Sequence, residues 1–494
     1  MRSAILLGFV ALYGCASSPG YRSPAVQLPA SFREIGDSGR AVPAATGDAT
    51  PGRYVATATS TGYSAPAERS DRADRAGVAS DYWQQLGDTT LARLIGAVQS
   101  ANLDVRAARA RVSAAQSDRV RTALNLTPST TVTASYSRQR LSSAAFPGFA
   151  SVFPDQNVWD AGVNASWDLD IFGQIRHTVQ AQGALVGVAQ EELRDVQVSL
   201  TAELAQAYFE LRGAQEQLEV AQQNAENQRR TFEVTRQRLE AGRGSAFDTD
   251  RAQAQLSTTL AAIPEREAQV VAAQYRIGTL VGRSPTEVVQ ELAQPGRLPS
   301  LPEVTTIEQP EVVVRYRPDV AAAERFAAAQ GALVGAAQAS YMPHLSIGGS
   351  VGYAAPEFST VGNRGTLRYV VGPVLTWPGL NLGRVKAEAD AAQAREDAAR
   401  AQYGRVVLAA MQDVETSITR YRTARQRLER LQEASTASER AAELARLRFA
   451  EGITDFLQVL DAERTQLEAQ DRLAQGRIDA ATAYAALYRA VGGK

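Results

Sequence analysis

Side chains that could carry out chemistry are scarce in this chain of 494 residues. It contains 2 His, 1 Cys and 3 Met, too few for a His/Cys metal site or a disulfide framework. His177 and His344 have unmatched surroundings, so we interpret both as structural. The sequence shows no Gly-rich phosphate loop and no Ser/His/Asp constellation. We therefore expect no catalytic residue, no metal site and no enzymatic activity.

The single cysteine, Cys15, is a candidate site of acylation. It follows an apolar run at 4–12 that is too short to cross a bilayer and has the pattern of a secretory signal peptide. Leu12 and Gly14, at positions −3 and −1, resemble a bacterial lipobox. A lone exported thiol has no disulfide partner, so we predict a covalent lipid on Cys15 and no cofactor.

Charge and composition narrow the class of protein. Lys and Arg total 52 and Asp and Glu total 53, so the net charge is −1 and no basic field is available to bind nucleic acid. Aromatic residues make up only 7%, which argues against a thick globular core. Long helices rich in Ala and Gln fit this composition better.

The chain repeats one plan. Residues 167–282 and 377–492 align without a gap. Each copy contains a long proline-free stretch, 174–241 and 384–451, which would extend roughly 100 Å as a continuous helix. Apolar residues recur in heptads along both stretches, as expected for helices packed side by side. The domain division that we predict is a signal peptide at 1–14, a lipid-anchored tether at 15–80, a first repeat at 81–282, an equatorial linker at 283–317 and a second repeat at 318–494.

A different periodicity lies between the short and the long helices of each repeat. Segments 129–138, 159–171, 345–353 and 369–377 alternate apolar with polar or small residues, which predicts four strands with one apolar face. Four strands cannot close a barrel, and an open edge is costly in lipid. If the strands face lipid, the chain must form oligomers, and three copies would supply twelve strands.

In order and doubled spacing, these features resemble the TolC/OprM family of outer-membrane efflux proteins, specifically the lipoprotein branch that serves resistance–nodulation–division (RND) pumps. The motifs that carry the resemblance are Tyr82–Leu91, Trp167–Gly173, Arg317–Val320 and the glycines at 242 and 452. The resemblance implies a mainly α protein with a β-barrel and two internal structural repeats. It implies a homotrimer in which a 12-stranded outer-membrane β-barrel continues into a long periplasmic α-helical barrel.

The same resemblance implies a function and partners. The chain would be the exit duct of a tripartite efflux system for drugs or other toxic solutes. It would lie in the outer membrane, held by its lipid and extending into the periplasm. Its partners would be two further copies of itself, a periplasmic membrane-fusion adaptor, an inner-membrane RND transporter and outer-membrane lipid, with no nucleic acid.

Site residues follow from the hairpins that end the long helices. The resemblance implies that the hairpin turns form the periplasmic tip that contacts the adaptor. The residues that we predict there are Gly242, Arg243, Gly244, Ser245, Asp248, Gly452, Ile453, Thr454 and Asp455. Glycines permit tight turns, although Ser245 and Asp455 could simply be helix caps. Acidic residues repeated by threefold symmetry could form a gate near the tip, with Glu433, Glu439 and Glu443 as candidates or as an ordinary solvated helix face.

Alternative interpretations remain open from the sequence. The same fold serves as the outer-membrane duct of type I protein secretion, although the lipobox favours a pump. A periplasmic coiled-coil adaptor or a non-conducting structural lipoprotein would also explain the heptads. Heat-resistant trimers in the outer-membrane fraction would exclude this alternative.

Overall fold

The computed structural model describes residues 32, 82–140, 155–303 and 309–493. The predicted signal peptide, Cys15 and nearly all of the predicted tether lie outside the described residues. Among the described helices, none combines the length and the apolar character needed to cross a membrane.

The order of helices and strands repeats, as the sequence predicts. The elements in chain order are α1 (Thr89–Ala101), α2 (Leu103–Ala123), β1 (Ser129–Gln139), β2 (Gln156–Leu169), α3 (Gln174–Glu240), α4 (Ala246–Leu280), α5 (Pro285–Glu291), α6 (Pro310–Tyr316), α7 (Pro318–Ala339), β3 (His344–Ala355), β4 (Leu367–Thr376), α8 (Leu382–Ala450) and α9 (Phe456–Ala490). The long helices α3 and α8 contain 67 and 69 residues, and the return helices α4 and α9 contain 35 each. The closely matched lengths confirm the internal repeat at the level of single elements.

One compact unit, residues 111–190 and 322–404, contains the four predicted strands. They form one antiparallel sheet in the order β1-β2-β3-β4. The register aligns Val132 with Val163, Val163 with Val351, and Val351 with Tyr369, so apolar side chains share one face. The neighbouring row, Thr131–Asn164–Ser350–Val370, is polar except on β4. Within the described residues, β1 and β4 each have one edge without a strand partner.

The second unit, residues 26–110, 191–321 and 405–494, contains the main apolar core. Seven of its buried side chains are aromatic, at positions 32, 83, 208, 209, 421, 484 and 488. Tyr208 and Tyr484 are almost fully buried, and the rings of Tyr82 and Tyr484 stack with centroids 4.6 Å apart. The heptad positions predicted on the long helices contribute to the same core, with Leu204, Leu211 and Val414 all buried. This core surrounds the midsections of the helices whose far ends form the hairpins.

A buried polar network links the start of α1 to this core. The Asp88 carboxylate accepts the backbone N–H groups of Thr90 and Leu91 at 2.9 and 3.0 Å, which caps α1. It also accepts the Tyr208 hydroxyl at 2.6 Å. Burial, together with this hydrogen bond to Asp88, raises the pKa of Tyr208 to about 12, so the phenol stays protonated and remains a donor.

Candidate functional site

Both long helices end in the same backbone turn. Gly242 has φ +70°, its N–H bonds to the Leu239 carbonyl at 2.9 Å, and the Arg243 N–H bonds to the Arg238 carbonyl at 2.8 Å. This pair of bonds is a Schellman motif, which satisfies carbonyls that the helix end leaves open. The left-handed φ explains why glycine occupies the position.

The second hairpin repeats this geometry. Gly452 has φ +78° and bonds to the Phe449 carbonyl at 3.0 Å, while the Ile453 N–H bonds to the Arg448 carbonyl at 2.9 Å. Sequence repetition at a spacing of 210 residues therefore becomes structural repetition at the level of individual hydrogen bonds.

Side-chain caps start the return helices. Ser245 Oγ accepts the Phe247 N–H at 3.1 Å, and Asp455 Oδ1 accepts the Gln458 N–H at 3.1 Å. The capping alternative for these two residues is therefore realised, and it leaves a role in partner contact untested. Of the nine predicted tip residues, Asp248 and Thr454 are half-buried and the other seven are exposed.

Exposed apolar side chains accompany the polar turn residues. Phe247 and Leu457 are 64% and 53% exposed and occupy the second position of α4 and α9. Ile453 in the second turn is 69% exposed. Large apolar groups at an exposed turn favour contact with another protein.

A small apolar cluster lies beneath the turns and was not predicted from the sequence. Phe449 and Phe456 pack with ring centroids 5.7 Å apart, and Ala252 and Val459 complete the cluster. Arg238 of α3 reaches the end of α8, where its Nη2 donates to the Phe449 carbonyl at 2.6 Å and to the Ala450 carbonyl at 3.1 Å. Its guanidinium also lies 4.2 Å from the centroid of the Phe449 ring. The available signal was the replacement of Leu239 by Phe at the equivalent position of the second repeat.

Polar side chains join α3 to α9 closer to the core. Asn224 Nδ2 donates to Gln470 Oε1 at 2.9 Å. Thr231 Oγ1 donates to Glu463 Oε1 at 2.9 Å, and Arg446 Nη1 lies 3.7 Å from the same carboxylate. Glu463 is only 6% exposed, and burial raises its pKa against the opposing influence of Thr231 and Arg446. Sequence reasoning missed this glutamate because nothing local distinguishes it from exposed ones.

The gate candidates lie on α8, and all three are exposed in the single chain. Glu433 pairs with Arg430 at 2.9 Å. Helical geometry places Glu439 and Glu443 roughly 40° apart around the axis and Glu433 roughly 80° from Glu443, so the three do not form one tight cluster. The hairpin region as a whole offers surfaces and hydrogen bonds and brings no nucleophile and base together.

The comparisons with known proteins agree with this geometry. A family model described as "Outer membrane efflux protein" matches residues 94–283 and 312–493, which is most of the chain. The chain belongs to the outer membrane efflux protein family.

Individual relatives extend the match. Outer membrane protein OprJ of Pseudomonas aeruginosa is 28% identical over 434 residues, covering 85% of this chain and 88% of OprJ. The solved structure of the outer-membrane channel OprN superposes with a TM-score of 0.81 at 34% identity, covering 97% of this chain and 99% of that one. The probable outer membrane lipoprotein SilC of Salmonella typhimurium is 25% identical over 392 residues, covering 78% of this chain and 82% of SilC.

These similarities confirm several predictions. The chain has the TolC-type fold, it is an efflux channel, and it is located in the outer membrane. Its relatives are channel proteins rather than enzymes. The predicted domain boundaries, tip residues and gate residues remain predictions.

Proposed function

We propose that this outer membrane efflux protein works as a homotrimeric exit duct in which each chain contributes one third of a closed tube. The observation that carries the proposal is the four-stranded sheet, which has an apolar face and two edges without a strand partner among the described residues. In lipid, each unpaired backbone N–H or C=O costs several kcal/mol. Pairing β4 of one copy with β1 of the next removes both edges, and three copies would give a 12-stranded barrel.

The mechanism that we propose is conduction without chemistry. The polar rows of the sheet, which include Asn164 and Ser350, would line a wet interior. The long helices α3 and α8 would continue this path into the periplasm as a helical barrel. Energy would come from an inner-membrane RND transporter, and a periplasmic adaptor would join the transporter to the duct. The cargo would be drugs or other toxic solutes.

Oligomeric state and pore formation test this proposal directly. The acylated full-length protein, purified in detergent, is expected to have the mass of three chains and to form ion-conducting pores in planar bilayers. A stable monomer that does not conduct would overturn the proposal.

The choice of partner complex is tested by exchange. In a strain lacking its own duct, the chain is expected to restore drug resistance together with an RND transporter and its adaptor. It is expected not to restore protein secretion with a type I transporter and adaptor. The opposite pattern would identify a secretion duct instead.

The hairpin ends are the proposed adaptor surface, formed by the nine tip residues and supported by the exposed Phe247 and Leu457. Reversing the chemistry at one hairpin, with Ile453→Glu, is expected to abolish capture of the adaptor while leaving trimers intact. Exposed Leu408, well before the tip on α8, provides a matched control as Leu408→Glu. Normal adaptor capture by the Ile453→Glu variant would show that Ile453 is not part of the adaptor-binding surface.

The acidic residues Glu433, Glu439 and Glu443 are the proposed gate. Their replacement by alanine, singly and together, is expected to change single-channel conductance or cation selectivity, because rings of carboxylates concentrate cations. Unchanged conductance and selectivity would make them an ordinary solvated helix face.

The proposed anchor is an acyl chain on Cys15. Cys15→Ser is expected to lose incorporation of radiolabelled palmitate. Equal labelling of the variant would exclude this residue as the acylation site.

A further inference from the structure

Arg238, beside the small apolar cluster beneath the turns, makes a contact whose residues occur in both repeats. Within one chain, only one of the two equivalent contacts is formed. Arg238 near the end of α3 is equivalent to Arg448 near the end of α8, 210 residues later. The two acceptors of Arg238, the carbonyls of Phe449 and Ala450, are equivalent to those of Leu239 and Glu240. Each helix end therefore carries both halves of the same interaction.

The contact that is made has a clear physical basis. The last carbonyls of an α-helix lack intrahelical donors and form the negative end of the helix dipole. The Arg238 guanidinium donates to the carbonyls of Phe449 and Ala450 at the end of α8 and also packs on the Phe449 ring. The Phe449 carbonyl accepts the Gly452 N–H as well. This interaction ties the first hairpin to the second within the chain.

The equivalent contact of the second hairpin is missing within the chain. Arg448 is exposed, and its guanidinium makes no hydrogen bond or ion pair with the described residues. The matching acceptors are the last carbonyls of α3, on the first hairpin. Within the chain, the two helix ends are joined by Arg238 of α3, with the last carbonyls of α8 as acceptors.

A second observation identifies a side of the chain that is uncovered in the same way. On α9, Ala481 and Ala485 are 1% and 0% exposed and belong to the main core. Their equivalents on α4, Val271 and Tyr275, are larger, yet they are 36% and 44% exposed. The first hairpin thus presents, without a cover, the face that the second hairpin buries.

We propose that Arg448 of one copy donates to the carbonyls of Leu239 and Glu240 at the end of α3 in the adjacent copy, and that Val271 and Tyr275 are covered in the same interface. The partner is a second copy of this chain because the acceptors that match Arg448 are the last carbonyls of α3. Arg448 would contact them with the geometry that Arg238 already adopts toward the last carbonyls of α8. This inference rests on the proposed oligomeric duct. Contacts inside a chain and between chains would then alternate around the ring of hairpins.

Cross-linking in the full-length protein tests the contact. The double variant R448C/E240C is treated in native membranes with a bifunctional methanethiosulfonate long enough to replace an arginine side chain. Covalent dimers and trimers are expected. The matched control R238C/A450C carries the equivalent pair within one chain and is expected to give no covalent oligomer, as are R448C alone and the wild-type chain with Cys15.

The oligomeric state is measured separately on untreated protein by light scattering, so that two failures can be distinguished. Trimers that R448C/E240C does not cross-link would overturn the contact and leave the proposed function standing. Cross-linking of Arg448→Cys to the adaptor instead of to a second copy would also overturn the contact. A chain that remains monomeric would overturn the proposed function and the contact together.

Discussion

Single residues at the hairpins show how burial changes the meaning of a common side chain. Glu463 is one of many glutamates in the chain, but it lies inside the packing of α9 against α3, where Thr231 is its hydrogen-bond donor. Desolvation penalises its charged form. The carboxyl group is therefore a source of pH dependence at the end of the protein where we propose the adaptor binds.

The sign of this pH dependence follows from the raised pKa of Glu463. A folded-state pKa above the unfolded value contributes stability that is complete below about pH 4.5 and is lost as the pH rises through the folded-state pKa. Glu463→Gln removes the charge and keeps an acceptor for Thr231. We expect it to increase protection of segment 456–467 in amide hydrogen exchange at pH 8 and to change little at pH 4. The exposed Glu433→Gln serves as the control, and equal protection of Glu463→Gln and wild type at pH 8 would contradict the expectation.

Backbone conformation is a second property of single residues. Gly242 adopts a left-handed conformation, and a Cβ added there would meet no atom within 4 Å. Any loss of stability in Gly242→Ala therefore comes from the backbone conformation alone. That cost is about 1–2 kcal/mol. We expect faster exchange of the Arg243 amide and faster proteolysis at the turn in Gly242→Ala. Gly242→Asn should be affected less, because asparagine tolerates this conformation better.

At the scale of helices, close approach depends on small residues at particular positions. Gly213 on α3 faces Ile478 on α9, and a Cβ at position 213 would lie within 2.1 Å of Ile478 Cγ1. A Cβ at position 404, on α8, would have no neighbouring atom within 4 Å. The two glycines therefore occupy similar helices for different reasons.

Alanine substitution should separate these two cases. Gly213→Ala overpacks the contact between α3 and α9, at a cost of about 1–3 kcal/mol, and should lower the melting temperature of the purified protein. Gly404→Ala should raise it, since alanine is favoured over glycine within a helix by roughly 1 kcal/mol. If overlap with Ile478 is the cause, the loss in the double variant Gly213→Ala/Ile478→Ala should be smaller than the sum of the losses in the two single variants. A Gly213→Ala protein that melts above wild type would exclude the overlap.

At the scale of the whole molecule, the two faces of the sheet determine which side of each strand can contact lipid and which can face water. Val163 and Asn164 are neighbours on β2, but they belong to the apolar and the polar face respectively. In a membrane barrel, alternate residues along a strand face lipid and lumen. A charge should therefore be tolerated at one of these positions and not at the next.

The paired variants Val163→Arg and Asn164→Arg test this arrangement. Arginine on the lipid face costs about 2–4 kcal/mol near the bilayer midplane, so Val163→Arg is expected to reduce the amount of heat-resistant trimer in the outer-membrane fraction. Asn164→Arg is expected to assemble normally. Equal assembly of both variants would show that the apolar face does not contact lipid.

Much of the fold was predictable because its signals are local. A strand is indicated by alternation over about ten residues, a helix end by a glycine, and a repeat by constant spacing. The segments 129–138, 159–171, 345–353 and 369–377 therefore correspond closely to β1–β4, and the glycines at 242 and 452 mark the true ends of α3 and α8.

What only the tertiary structure decided is which distant residues meet. Thr231 and Glu463 are 232 positions apart, and Arg238 and Phe449 are 211 apart, so no local pattern could pair them. The repeat alone would have predicted equal environments for Arg238 and Arg448. Their environments differ because the free energy of a side chain depends on burial and on the atoms that surround it, and these are set by packing between helices. The sequence by itself therefore determined the elements and their order, whereas the contacts that join the hairpins were determined by how those elements pack.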